Sequence, residues 1–191
     1  MDTLAKSKLI VFPLCLLPLV LLIYSAINNG LGPDPARALT LELGEWALRF
    51  LLLSLAVTPV RKLLKFSKLI RYRRMLGLFS LFYAVLHVLS YLAFMLSWEW
   101  LQLLEDLYER AYIIVGAIAL VVLMALGFTS TRPMMRKMGK LWIRLHRLVY
   151  LAGGLAILHF FWLVKSDYSE PILYGVIFLT LMLVRTGFRK E

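Results

Sequence analysis

The sequence is short of the residues on which most catalytic and redox sites are built. Its 191 residues include one cysteine, three histidines and eleven acids. A single cysteine, Cys15, excludes an intramolecular disulfide, a cysteine-rich zinc site and a thiolate-held iron–sulfur cluster. Any redox chemistry must use something other than sulfur. Charge is scarce as well: 17% of the residues are charged and 61% hydrophobic, against about 25% and 45–50% in soluble domains. Those values exclude a disordered chain and a soluble nucleic-acid-binding domain, despite a formal charge of +11 and a pI near 10.0. There is no GxSxG elbow, no HExxH, no P-loop and no GxGxxG. No apolar run carries an acid near its middle, so a proton-coupled transporter lacks its usual carriers. Internal symmetry of the transporter kind is not visible.

What the chain has is apolar length, with a mean hydropathy of +0.80. Six runs stand out: Leu9–Ile27, Leu41–Val60, Leu76–Leu96, Ala111–Phe128, Trp142–Val164 and Pro171–Arg185. Each is about long enough to cross a 30 Å hydrocarbon layer as a helix. The runs are continuously apolar rather than alternating, which argues against barrel strands. The expectation is an all-α membrane protein, a bundle of six transmembrane helices forming one domain over residues 1–191, with no length left for a soluble domain.

Basic residues give the orientation. Lys6, Lys8, the Arg61–Arg74 and Arg132–Arg147 clusters, and Arg185, Arg189 and Lys190 supply 18 of the 22 on one side. The other side has Arg37, Arg49, Arg110 and Lys165, with nine of the eleven acids. The positive-inside rule then puts both termini in the cytoplasm, and the surplus charge faces anionic lipid rather than nucleic acid. The first run follows Lys6 and Lys8 like a signal sequence. Its length and its weak Ser25-Ala26 site favour a retained helix, bent at Pro13 and Pro18 and peripheral to any site. Asn28–Thr40 reads as turn chemistry and Glu99–Arg110 as a solvated acidic loop. Trp98, Trp100, Tyr108, Trp162, Tyr168 and Tyr174, and on the other side Phe66, Tyr72 and Trp142, read as interfacial belts.

All three histidines fall in or beside these runs, where ionisable groups are costly and functional by default. His87 lies about 13 residues, or roughly 20 Å, from the basic end of its helix near Arg74. His159 lies about 17 residues, or roughly 25 Å, along a helix running the same way from Trp142. Two imidazoles at one level can supply both axial ligands of a b-type haem. Zinc fits less well, since no carboxylate or thiolate is expected at that depth. Small residues, Gly77, Ser80 and Ala84 on one helix and Ala152, Gly153, Gly154 and Ala156 on the other, leave room for a flat ring or for close packing.

His146 sits near the basic surface, about 20 Å below His159. The residue at the matching depth on the first histidine helix is Arg73, about 40° off the face of His87 and followed by Arg74. Arginine stays charged and binds phosphate or carboxylate. His146 with Arg71, Arg73, Arg74, Lys140, Arg144 and Arg147 therefore suits a flavin phosphate, a haem propionate or a quinone headgroup. One feature opposes a two-haem seam: thirteen residues turn an ideal helix so that His146 and His159 point about 140° apart. Local overwinding around Gly153-Gly154 would reduce that angle.

The order of several segments resembles one family over nearly the whole chain. These are Leu55-Ala56-Val57-Thr58-Pro59, Arg73-Arg74-Met75-Leu76-Gly77-Leu78 leading through Tyr83-Ala84 to His87, Phe128-Thr129-Ser130, Leu145-His146-Arg147-Leu148-Val149-Tyr150, and His159-Phe160-Phe161-Trp162-Leu163-Val164-Lys165. The chain is similar to the MsrQ (YedZ) family of haem-binding membrane subunits, in the ferric-reductase-like transmembrane group. The resemblance implies an electron-transfer subunit of the bacterial inner membrane rather than a stand-alone enzyme. In that family electrons come from the quinone pool or a cytosolic flavin reductase. They pass through FMN and b-type haem to a periplasmic molybdopterin-containing methionine sulfoxide reductase that repairs oxidised envelope proteins. His87, His146 and His159 match the family's functional histidines. The reading assigns His87 and His159 to a haem. His146 with Arg73, Arg74, Arg144 and Arg147 forms an FMN site, with His146 the candidate ligand if a second haem is bound. A small histidine-containing transporter and a cofactor-free anchor of a periplasmic enzyme are the alternatives.

Overall fold

A computed structural model describes residues 3–187, with side chains from Ser7 to Arg185. The side chain of Lys6, and all of Arg189 and Lys190, lie outside the described residues. The helices are α1 (Thr3–Ile27), α2 (Pro35–Leu63), α3 (Ile70–Ser90), α4 (Trp100–Glu109), α5 (Ala111–Phe128), α6 (Arg132–Met138), α7 (Lys140–His146), α8 (Val149–Leu163) and α9 (Ser169–Gly187). A 3₁₀ turn, Ser67–Leu69, leads into α3, and a π-helical turn, Tyr91–Met95, follows it. Among the described residues there is no strand.

Among the described residues five segments are long and apolar enough to cross a membrane: Ser7–Ile27, Pro35–Leu63, Ser67–Met95, Ala111–Phe128 and Lys140–Leu163. The sixth expected span forms α9 but is not one of these five. Apolar side chains cover the outside of the bundle, such as Leu9, Phe12, Leu53, Val121 and Leu179, each about half exposed or more. An apolar outer surface is what a lipid solvent selects. The protein is a multi-pass membrane protein.

Four helices close the centre. α2 packs on α3, α3 on α5, α5 on α8 and α8 back on α2, while α1 rests on α2 and α3, and α9 on α2 and α8. α2 is the axle, and its buried residues enter all three apolar clusters. Ala47 and Phe50 meet Phe79 and Tyr83, Leu48 and Leu52 meet Ile157, and Leu51 meets Leu123 and Ala152. α1 is more tightly tied than a peripheral helix. Pro18 already costs the helix one donor, and the fully buried Tyr83 hydroxyl enters the next gap in its ladder. It accepts from the Leu19 amide (3.2 Å) and donates to the Cys15 carbonyl (2.9 Å), a pair that would otherwise bond directly.

α1 and α3 begin six residues before their expected starts, at Thr3 and Ile70, and three further differences from the sequence expectation have local causes. α2 begins at Pro35, not Leu41, because Asp34 caps it, accepting from the Arg37 amide at 3.1 Å, and a proline at the first helical position is pre-set for the turn. The expected acidic loop is helix α4. It turns Leu103, Asp106 and Leu107 inward and leaves Leu101, Leu104 and Tyr108 outside with Glu105 and Glu109. The run Trp142–Val164 is divided at Arg147–Leu148, between α7 and α8. There Arg147, Leu148 and Tyr150 bond three residues back, to Arg144, Leu145 and Arg147. A 3₁₀ bond advances about 120° per residue instead of 100°. Three such steps bring His146 and His159 from about 140° to roughly 80° apart. The overwinding lies at residues 144–150, not at Gly153-Gly154.

Candidate functional site

α3 and α8 run in the same direction from the basic end and bring His87 and His159 to one level near the acidic end. Their ring centroids are 6.2 Å apart and their planes 85° from parallel. Each ring is fixed the same way. The His87 Nδ1–H donates to the Thr40 carbonyl of α2 (2.7 Å), and the His159 Nδ1–H to the Tyr112 carbonyl of α5 (2.6 Å). A carbonyl has two lone pairs, so it takes the imidazole in addition to its own helical partner one turn on. Those partners are Gly44 and Gly116, and the missing Cβ admits the ring. A Cβ on Gly44 would come 2.9 Å from His87 Nδ1, and one on Gly116 2.7 Å from His159 Nδ1. With Nδ1 committed as donor, Nε2 is left with its lone pair free to bind a metal.

Both histidines line one cavity of about 380 Å³, within the roughly 300–1,000 Å³ of small-molecule sites. Its walls are largely apolar, with Leu48, Leu51, Leu120, Leu123 and Phe160 among them. Ser80, Ala84 and Ala156 supply the small-residue room expected there. Of the others, Ala152 is fully buried, Gly153 seats Phe178, whose ring a Cβ would approach to 2.7 Å, and Gly77 lies against the Ser54 hydroxyl, while a Cβ on Gly154 would meet nothing within 4 Å. Leu103 and Leu107 of α4 close the acidic end, where Asp106 is held by Tyr91 and paired with Arg110 at 3.2 Å. A carboxylate does lie at the histidine depth, against the sequence reading: Glu45 lines the cavity. It is committed to Arg49, which also reaches Glu42 (3.9 Å) and donates to the Tyr174 hydroxyl (2.8 Å). Tyr174 therefore does more than sit in a belt. Among the described residues no group of three metal-ligating side chains is present.

The donor set fits a metal that needs only two protein nitrogens: with ring centroids 6.2 Å apart, His87 and His159 would hold one ion at about 2 Å from each Nε2. Two imidazoles alone leave zinc short of ligands, whereas an iron already held in a macrocycle needs no more.

His146 stands apart from this cavity. Its ring stacks on Trp142 (3.9 Å, 25°), its Nδ1–H donates to the Trp142 carbonyl (3.1 Å), and its Nε2 lies 3.4 Å from the Ser130 hydroxyl. Trp142 also donates from Nε1 to the Thr129 carbonyl at 2.9 Å. It thus also clamps the loop that follows α5. The basic cluster is only partly convergent. Arg74, Arg144 and Arg147 are exposed, while Arg73 is half-buried and its charge acts on both His146 and Arg185. Arg185, not picked out from the sequence as a site residue, turns inward. It donates to the Tyr150 hydroxyl (2.7 Å) over the tyrosine ring, and its Nε is buried without a hydrogen-bond partner. The Thr40 and Tyr112 carbonyls and their glycines carry no side-chain signature, so no motif exposes them. Trp142, four residues before His146, does have helical spacing that points to it.

Residues 43–157 match the family model of the ferric reductase like transmembrane component, which defines the class of membrane protein. A relative from Xanthomonas oryzae pv. oryzae is 44% identical over 182 residues, covering 92% of this chain and 84% of that one. One from Rhodospirillum rubrum is 46% identical over 180 residues (94% and 86%), and one from Caulobacter vibrioides 42% over 185 (96% and 87%). Each bears the name protein-methionine-sulfoxide reductase heme-binding subunit MsrQ. The chain belongs to the MsrQ family.

Proposed function

We propose that this chain is the haem-carrying electron-transfer subunit of a methionine sulfoxide reductase system of the bacterial inner membrane. The observation that carries this reading is the pair of Nε2-free imidazoles, His87 and His159, facing one apolar cavity from opposite helices. Those two side chains would hold a b-type haem, which supplies one-electron chemistry when bound. The chain's own residues orient the ligands through Thr40 and Tyr112, wall the site with aliphatic side chains, and cover its acidic end with α4. Arg49 neutralises Glu45, the carboxylate that would otherwise stand in the cavity wall. The reading extends to six spans with both termini in the cytoplasm, supported by the 18 basic residues gathered at one end. The site then lies in the periplasmic half, close to a periplasmic molybdopterin-containing reductase. FMN, with electrons from the quinone pool or a cytosolic flavin reductase, belongs at the basic end. Its phosphate would be met by Arg73, beside His146, with Arg74, Arg144 and Arg147 around the rim.

The test is a dithionite-reduced minus oxidised spectrum of the purified full-length protein, compared with His87→Ala, His159→Ala and His146→Ala. The expected result is a b-type α-band abolished by either of the first two changes and retained in the third. No haem band in the wild type, or a band that survives loss of His87 or His159, refutes the assignment.

A further inference from the structure

The surroundings of the two histidines repeat. Tyr112, Gly116 and His159 follow Thr40, Gly44 and His87 by the same 72 residues, and both imidazole–carbonyl bonds span 47 residues of sequence. The helix contacts repeat in the same sense. The pair α2–α3 corresponds to α5–α8, and the seam α3–α5 to the seam α8–α2, which closes the ring. The central bundle therefore repeats one helix pair, with the same seating of a histidine in each copy. That is the parallel kind of internal repeat, which the sequence reading did not find. Ala47 and Ala119, Leu48 and Leu120, Leu51 and Leu123, and Ala84 and Ala156 also match at this offset. The pairs are too sparse and too ordinary in type to stand out in an apolar chain.

We propose that Gly44 and Gly116, with the Thr40 and Tyr112 carbonyls, are matched positioning elements that set the tautomer, seating and ring orientation of His87 and His159. The inference rests on the haem reading above. Each carbonyl fixes a tautomer and raises the basicity of the opposite nitrogen. Each glycine sets how far the ring seats against its neighbouring helix. Since both halves use the same device, neither ligand is the weaker one. The 85° between the rings is then a property of the protein, imposed by two helix pairs facing one another.

Perpendicular axial planes have a signature that activity does not report: a highly anisotropic low-spin ferric resonance in which the largest g component dominates. Ligands rotated towards parallel give a rhombic signal. The full-length protein is compared with Gly44→Ala, Gly116→Ala and Gly154→Ala, the last at a position where an added Cβ meets nothing within 4 Å. The expected result is an anisotropic wild-type signal, shifted towards rhombic in both Gly44→Ala and Gly116→Ala. Haem affinity in both should fall by about 10- to 100-fold, as for other second-layer partners of metal ligands, with Gly154→Ala unchanged. Should an alanine variant fail to accumulate, His87→Gly and His159→Gly are each supplied with imidazole or 1-methylimidazole. The methylated ligand has no N–H for the carbonyl, so imidazole should restore the low-spin spectrum at about 10- to 100-fold lower concentration. Haem bound normally in Gly44→Ala and Gly116→Ala with a wild-type resonance, or equal rescue by both imidazoles, overturns this inference and leaves the haem reading standing. A wild type without haem overturns both.

Discussion

Tyr83→Phe isolates one oxygen atom. The Tyr83 ring is fully buried and stacks on Phe50 at 5.2 Å, and its hydroxyl bridges the Leu19 amide and the Cys15 carbonyl of α1. The substitution keeps the ring and removes two hydrogen bonds. At about 1 kcal/mol net for each in water, or about 0.6 kcal/mol on average between membrane helices, the loss is about 1–2 kcal/mol. Leaving both backbone groups orphaned would cost more, at roughly 1–3 kcal/mol each. Leu19 and Cys15 stand four apart in one helix, however, so they can close on each other once the hydroxyl is gone. The smaller figure should therefore hold, whereas Tyr83→Ala adds a cavity and should cost about 3–5 kcal/mol. The measurement is reversible unfolding in mixed micelles, titrated with SDS and followed by far-ultraviolet circular dichroism. A loss of 1–2 kcal/mol raises the unfolding constant by about 5- to 30-fold. If Tyr83→Phe matches the wild type, the bridge contributes nothing. If it is as damaging as Tyr83→Ala, the helix does not close on itself, and the reasoning about α1 fails.

Arg49→Met should destabilise by about 3–5 kcal/mol, because it strands Glu45 in the cavity wall and removes the bond to Tyr174 on α9. Glu45→Gln/Arg49→Met together should recover part of that loss, and equal destabilisation of the single and double variants in the same titration would count against the pairing. Arg73→Ala should lower bound flavin, measured by fluorescence of the released cofactor against protein, while leaving the haem proposed for His87 and His159 in place. Undiminished flavin would make Arg73 a lipid anchor.

The sequence carried the parts of the fold that depend on solvent preference and length. Apolar runs located the spanning helices because lipid contact selects composition directly. Depth arithmetic paired His87 with His159 because α3 and α8 start from the same face, so an error common to both helices cancels. It failed where backbone hydrogen bonds decide. The division at Arg147–Leu148 has neither proline nor glycine to mark it, and its three short bonds answer to packing against neighbouring helices. α4 hid within an acidic stretch because it is only ten residues long, although Trp100, Leu101, Leu103, Leu104, Leu107 and Tyr108 do follow helical spacing. Asp34-Pro35, by contrast, was a readable helix start that the surrounding turn residues concealed. The carbonyls and glycines that seat the histidines lie 43 to 47 residues from the side chains they serve, beyond the reach of any local pattern.

The two-copy arrangement bears on how the protein is made. Each helix pair brings one imidazole, and the second is translated 72 residues after the first. At 5–20 residues per second, His159 is added roughly 4 to 14 seconds after His87. Throughout that interval the first helix pair offers only half a binding site, and a planar cofactor held by one nitrogen is weakly retained. On the proposed haem reading both ligands exist only once α8 has been made, so the order of synthesis sets the earliest point at which the site can fill.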